Sequence, residues 1–338
     1  MKILKLGDWH LGVKQDDPWV QHIQLDGIRQ AIELSKARGI TNWLQAGDVF
    51  DVRKAITHKT MNFARQIFQE IDDAGIIVYA LVGNHDMNYR EKIHPNACTE
   101  LLGHLPNVVV IDKPQKINLG VDIDMIPWIC NENREEIYDF VKASNSKFCM
   151  GHFELSGFYF YKGMKSHGSE PDFLKGYKRA WSGHFHTVSE NRNITYLGTP
   201  WSLTAGDEND PRGWWIFDSE TEESVFYQNK TMWHRRIDYP TSINPEIYRD
   251  LSVRLYVTKV DKNLAAFETA LEQVVHELKV VSRVDTTVEL SEDIDENTEI
   301  PAMSDLIAGY VDALPDLSEE DSIAIKKFAN DLYLEANQ

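Results

Sequence analysis

Five short polar motifs, each directly behind an apolar run or a glycine, constrain this chain more than any other feature of it. Asp8 and His10 follow KILKLG, Asp48 follows TNWLQAG, and Asn84, His85 and Asp86 follow IIVYALVG. His152 follows KFCMG, and His184 and His186 lie in SGHFHT. In an open α/β sheet the carboxyl ends of the strands border one crevice, where ligands bind. The motifs therefore predict metal-binding or acid–base groups converging at one edge. Each motif alone has an ordinary explanation. An Asp behind a strand caps the next helix, Gly-Asp and Gly-Asn pairs are turn chemistry, and two histidines at i and i+2 share a strand face that can simply be wet. It is the ordered series DxH, GD, GNHD, GH, GHxH that argues against coincidence.

The pattern around the motifs alternates strand and helix. KILKLGD, TNWLQAGD and IIVYALVGNHD read as strands, and the segments 24–39 and 58–75 as helices, the first with Leu25, Ile28, Ile32 and Leu34 at helical spacing before Gly39. This βαβαβ order predicts a sheet with covering helices. A helix near 132–144 and short strands with turns at 116–126 and from about 179 to 230 follow. Beyond Tyr239-Pro240, LSVRLYVTKV, NLAAFETALEQVVHEL and KVVSRVDTTVEL read as a compact βαβ unit. SEDIDENTE is a solvated linker by composition, and two amphipathic helical patterns, separated by Pro315, close the chain. The expected division is 1–240, 241–290 and 291–338.

The chain of 338 residues carries a formal charge of −18, which at first argues against a nucleic-acid partner. The distribution changes that. Residues 285–338 hold 15 acidic residues against two lysines, a net of −13, which leaves the first 284 residues at −5. A near-neutral body can carry a local basic path while its acidic tail faces something else. Cys98, Cys130 and Cys149 are odd in number and lack metal-ligand spacing, so they are expected reduced and buried. Asp8 interrupts the first apolar stretch before a signal core forms, and no run approaches the roughly 20 apolar residues that span a bilayer. A soluble, cytoplasmic protein is expected.

In the wording DWH (8–10), GDVFD (47–51), GNHD (83–86), GH (151–152) and GHFH (183–186), the chain resembles the calcineurin-like metallophosphoesterases, and within them the SbcD-type nucleases of double-strand-break repair. SGFYFYKGMKSHG and GTPWSLTAGDENDPRG resemble the T-even phage branch of that family, which would place the protein in the host cytoplasm. The resemblance implies a β-sandwich flanked by helices, with a small βαβ accessory domain for DNA binding and a C-terminal helical tail. It further implies two manganese ions, with magnesium as a weaker possibility: Asp8, His10, Asp48 and His186 on one, Asp48, Asn84, His152 and His184 on the other, and Asp48 bridging. Two cations roughly 3.5–4 Å apart need such a shared anion. His85 would stabilise the transition state or protonate the leaving oxygen, a role that suits an imidazole, and Asp86 would orient His85. Many relatives carry histidine where this chain has Asp51, which leaves the role of Asp51 open between holding Arg53 and holding a histidine.

The implied activity is a DNA nuclease with 3′–5′ exonuclease and endonuclease modes, acting in end processing, recombination and repair. It would work as a homodimer in a heterotetramer with an SbcC- or Rad-type ATPase, docked through the C-terminal helices. Candidate DNA contacts are Arg53 and Lys54 near the site and Tyr159, Lys162 and Lys165 in GFYFYKGMKSHG, where aromatics and cations mix as stacking on single strands requires. No base-reading motif is visible, so little sequence specificity is expected. A phosphomonoesterase or cyclic-nucleotide phosphodiesterase uses the same constellation, and a scaffold that tethers DNA ends is the alternative of a different class.

Overall fold

KILKL forms β1 (Lys2–Leu6), buried from its second residue onward. The chain then turns into α1 (Pro18–Arg38), where the Asp17 carboxylate accepts from the Trp19 and Val20 amides and Gly39 closes the helix at φ +64°, a left-handed cap that glycine adopts without a Cβ clash. There follow β2 (Asn42–Gln45), α2 (His58–Asp73), β3 (Ile77–Leu81), α3 (Ala97–Leu102), β4 (Val108–Ile111), β5 (Gln115–Asn118), β6 (Asp122–Ile126), α4 (Arg134–Ala143) and β7 (Phe148–His152). Next come β8 (Tyr159–Tyr161), β9 (Met164–Lys165), β10 (Arg179–Gly183), β11 (Ser189–Asn191), β12 (Ile194–Tyr196), β13 (Gly213–Asp218) and β14 (Glu223–Gln228). The last are β15 (His234–Tyr239), β16 (Ser252–Val257), α5 (Leu264–Glu272) and β17 (Glu277–Ser282). This computed structural model describes residues 1–161, 164–166 and 168–283, with single residues at 311, 322, 325 and 326. The chain divides into two units, Met1–Val284 and Asp285–Gln338.

Two six-stranded sheets make the body, in the orders β14-β13-β1-β2-β3-β4 and β11-β12-β10-β7-β6-β5. β1 to β4 pair in parallel, as helical crossovers require, and β7 is parallel to both β6 and β10. Ile3, Leu44, Leu81, Phe148, Trp181 and Phe217 join the inner faces in one buried core. The outer face of the first sheet is covered by α1 and α2 through Ile28, Ile32, Phe63 and Ile67, and that of the second by α4 through Ile137. The result is a β-sandwich flanked by helices. All three cysteines are free and buried, and among the described residues no helix is long and apolar enough to cross a membrane.

β15, β16 and β17 form a separate parallel sheet with α5 in the crossover. β16, α5 and β17 match the βαβ pattern of the sequence. β15 escapes it, because Arg235, Arg236 and Asp238 interrupt the apolar positions of HRRIDY. The small sheet has its own core of Ile237, Tyr239, Val253, Leu255 and Leu271. It docks on the start of α1, where the Trp19 ring stacks on His276 at 4.3 Å between centroids and donates Nε1–H to the Asp250 carbonyl at 2.9 Å. The C-terminal helical patterns lie outside the described residues, apart from single positions.

Trp19→Ala removes both the stack and the hydrogen bond. Hydrogen exchange should then rise across β15–β17 while β1–β3 stay protected, because the two regions have separate cores. Unchanged exchange in the small sheet would show that its docking does not depend on Trp19.

Candidate metal centre

The loops behind β1, β2, β3, β7 and β10 meet at one rim of the sandwich and are tied to one another through the backbone. Trp9 and His10 donate their amides to the Asp48 carbonyl, both at 3.0 Å. The His85 amide donates to Asp48 Oδ1 at 2.7 Å, and the His184 amide is shared by both Asp8 oxygens at 3.0 Å. His10, Asp48 and His184 have φ values of 51°, 54° and 85°, a left-handed conformation that L-residues hold only when their surroundings fix it. The glycines are there for space as well as for turning. A Cβ on Gly47 would lie 2.5 Å from His152 Nδ1, and one on Gly83 would lie 2.2 Å from Asp48 Oδ1.

The structure brings the seven candidate ligands together in two groups. In the first, His10 Nε2 lies 3.0 Å from His186 Nε2, and these atoms lie 3.8 and 3.7 Å from Asp8 Oδ2. In the second, Asn84 Oδ1 lies 2.9 Å from His152 Nε2 and 3.0 Å from His184 Nδ1. Asp48 Oδ2 faces both, at 3.9 Å from His10 Nε2 and 3.3 Å from His152 Nε2. Two ligand atoms at right angles on one cation, with bonds of about 2.1 Å, sit about 3.0 Å apart. The His10–His186 contact and the two Asn84–imidazole contacts have that spacing, and the Asp8 and Asp48 oxygens stand 3.3–3.9 Å from the ring nitrogens, as donors at wider angles on one cation do, so the donor set fits a pair of cations with Asp48 between them. The far side of two rings is fixed in the manner typical of metal-binding histidines. His152 Nδ1 donates to the Ala46 carbonyl at 2.7 Å. His10 Nδ1 lies 3.1 Å from Asp51 Oδ1, an ion-pair distance although bent from ideal hydrogen-bond geometry.

Burial and charge act against each other here. Burial penalises the charged forms of His10 and His152, yet neighbouring carboxylates outweigh it and raise both to about 9: Asp51, Asp48 and Asp8 for His10, and chiefly Asp48 for His152. Burial would raise the Asp48 carboxyl, but His152, His10 and His85 hold it below the ordinary range. Asp8 is pushed up to about 6, by burial first and with Asp48 adding to it. Burial, with His152 beside it, lowers His184 to about 3.

Two expectations need correction or completion. Asp86 does not orient His85. Its buried carboxylate accepts the Phe50 and Gly83 amides, both at 2.9 Å, and so braces the two loops that carry Asp48 and Asn84. The His85 ring is instead held by its Nδ1–H, which donates to the Asp51 carbonyl at 2.7 Å. Asp51, which might have paired with Arg53 or a histidine, pairs with His10. Arg53 and Lys54 line an open recess of about 540 Å³ together with Tyr89 and Arg90, and Tyr89 is 54% exposed. Those last two residues follow GNHD after Met87 and Asn88, and that nearness is the signal that would have found them. Tyr159 is exposed on β8, whereas Lys162 and the Lys165 side chain lie outside the described residues. Trp128, behind β6, packs its ring 5.1 Å from that of His184 and was not anticipated.

The family model "Calcineurin-like phosphoesterase" matches residues 1–188. The chain is 59% identical to "Exonuclease subunit 1" of Enterobacteria phage T4 over the full length of both proteins. Among solved structures it is similar to a novel archaeal phosphodiesterase, at 13% identity and a TM-score of 0.36 over 68% of this chain and all of that one. It is also similar to GAP50 of Plasmodium, described as the anchor in the inner membrane complex, at 12% identity and a TM-score of 0.40 over 69% of this chain and 90% of that one.

With pKa values of about 9, His10 and His152 hold protons at neutral pH in the metal-free protein. A cation that enters must displace them. Manganese affinity should therefore climb as pH rises from 7 toward 9, and calorimetry in buffers of different ionisation enthalpy should detect proton release at pH 7. Binding without proton release would mean that these rings are not ligands.

Proposed function

This chain belongs to the calcineurin-like phosphoesterase family, and from that premise we propose that it is the nuclease subunit of a DNA-processing complex, dependent on two manganese ions. The observation that carries the reading is the pair of ligand groups that share Asp48 Oδ2, with His85 beside them. Asp8, His10, Asp48 and His186 hold one ion, and Asp48, Asn84, His152 and His184 the other. Mixed oxygen and imidazole donors suit manganese. When bound, the ions supply charge neutralisation at the scissile phosphate and acidify a water.

The rest of the work falls to the chain itself. A carbonyl oxygen can only accept, so the Asp51 carbonyl fixes Nδ1 of His85 as the donor of that bond and leaves Nε2 as the atom that, from the doubly protonated ring, hands a proton to the leaving 3′-oxygen, the ring returning to its Nδ1–H form. Asp51 and the Ala46 carbonyl keep the His10 and His152 rings turned toward the centre. Arg53, Lys54 and Arg90 neutralise phosphates of the strand, and Tyr89 offers a ring for stacking. The small sheet is the accessory DNA-binding domain, and Tyr159, Lys162 and Lys165 of GFYFYKGMKSHG add contacts. Phosphate contacts and ring stacking carry no base identity, so cleavage has little sequence specificity.

Supporting the assembly are the word "subunit" in the name of the phage relative and the acidity of residues 285–338. The partner is an SbcC- or Rad-type ATPase in the host cytoplasm, docked on the C-terminal helices, with basic residues facing the tail. A second copy of the chain pairs across the cleft between α2 and α3, which is lined by Met61, Leu101, Leu102 and Leu105 and leaves Met61 41% exposed.

Purified protein with manganese should degrade linear duplex from its 3′ ends and nick single-stranded circles, with little action on a small phosphomonoester. Efficient phosphomonoester hydrolysis without DNA cleavage would replace the nuclease by a phosphatase. His85→Gln should retain manganese and DNA binding while turnover falls by roughly 10²–10⁴-fold, the scale of general acid help. Loss of metal in that variant would make His85 a ligand. Removing residues 300–338 should leave single-strand cleavage intact and abolish binding of the ATPase.

A further inference from the structure

His186 is held differently from the other ring ligands. His152 closes β7 and His184 follows β10 directly, whereas His186 lies three residues past the end of β10. Its side chain is 28% exposed, against 3% for His10 and 0% for His152. Asp51 and the Ala46 carbonyl meet the outer nitrogens of the His10 and His152 rings. Among the described residues the His186 ring has no such outer anchor, and its hold comes through its backbone. The His186 carbonyl accepts the Thr199 amide at 3.0 Å. Thr199 belongs to GTPWSLTAGDENDPRG, the loop between β12 and β13. Gly198 before it has φ +71°, and a Cβ on Gly7 would lie 1.9 Å from the Gly198 carbonyl oxygen, so this turn is pressed against the loop that carries Asp8.

The turn is fixed from inside the loop by Arg212. Its guanidinium donates to the Thr199 hydroxyl at 2.9 Å and reaches Asp207 at 2.7 Å and Asp210 at 2.9 Å. Asp207 in turn accepts the Leu203 and Thr204 amides. Arg212 is buried, and a buried ion pair adds little net stability because desolvation offsets the attraction. What it holds is the better reason for its place. On its outer side the loop is fastened to the small sheet, with Ser202 Oγ 2.8 Å from His234 Nδ1 and Glu208 accepting from the Tyr256 hydroxyl at 3.3 Å.

We propose that Arg212 is a positioning residue for His186: it fixes the Thr199 turn, the turn fixes the His186 backbone, and the affinity of the ion held by Asp8, His10, Asp48 and His186 follows. The proposal rests on the two-ion reading of the centre. Arginine suits the task because its planar fork donates in fixed directions to several acceptors at once, which a lysine does not. The effect falls on one ion of the pair, since Asn84, His152 and His184 receive no hydrogen bond from Thr199 or Arg212.

Manganese calorimetry on the full chain, run as a double-mutant cycle, tests this. Arg212→Gln should weaken one of the two ions by about 10–100-fold, the scale for partners that orient metal-binding residues, and leave the other at wild-type affinity. His186→Gln should weaken the same ion, and the double variant should bind it no more weakly than His186→Gln alone, because Arg212 acts only through that residue. A merely structural defect would weaken both ions, or would add to the loss in His186→Gln. Either result overturns the proposal, as does wild-type affinity for both ions in Arg212→Gln. Thr199→Val keeps the amide and the shape of the side chain but removes the hydroxyl acceptor. It should show the same selective loss on a smaller scale, and it carries the same cycle where Arg212→Gln does not fold. Two ions at full affinity in His186→Gln would overturn the ligand assignment itself, and the role of Arg212 with it.

Discussion

Asp8 and Asp48 lie almost fully buried at the ends of neighbouring strands, and like charges so close in a low dielectric need cations around them or a proton on one of the two, which is why Asp8 is pushed up to about 6. In the metal-free protein that positive charge comes from His10 and His152, whose rings are held protonated by the carboxylates they face. Two metal ions would take over the same task and release those protons. Asp48 is the common element of the arrangement, with Oδ2 toward both groups and Oδ1 held by the His85 amide.

That arrangement demands rigid support, and the sandwich provides it. Three candidate ligands have left-handed backbones, each costing roughly 1–2 kcal/mol in a free chain. The cost is carried by the interlocked loops: β1's loop hydrogen-bonds to β2's, β3's to β2's, and β10's to Asp8. Asp86 completes the lock by accepting amides from two of those loops. A residue read as part of the chemistry thus acts one layer further out, holding the loops whose side chains face the centre.

Charge is divided in the same way along the chain. The first 284 residues are nearly balanced at −5, which lets Arg53, Lys54 and Arg90 gather on one recess without a basic protein overall. The small sheet has its own core and is fastened to the body by Trp19 of α1, whose ring stacks on His276 and donates to the Asp250 carbonyl, and by polar contacts of β15 and β16 with Ser202, Glu208 and Asn209, whereas a continuous apolar core joins the two large sheets.

The sequence by itself determined the alternation of strands and helices and the polar motifs behind the strands, because apolar runs that end in Gly-Asp, Gly-Asn or Gly-His carry both signals in consecutive residues; which seven of those polar residues are candidate ligands came from the family resemblance, since the pattern marks His85 and Asp86 equally. β15 stayed hidden because charged residues separate its apolar positions, and the burial of Ile237 and Tyr239 depends on β16, which lies further along the chain. The partners of Asp51, Asp86, Trp128 and Glu154 were equally beyond reach. Asp51 pairs with His10 and Asp86 with Phe50, more than 30 residues away in sequence in each case, and Glu154 approaches His184 only because β7 and β10 are adjacent and parallel. Which ring nitrogen faces the centre and which carboxylate braces a loop are set by that pairing of distant strands, and tertiary structure alone decides them.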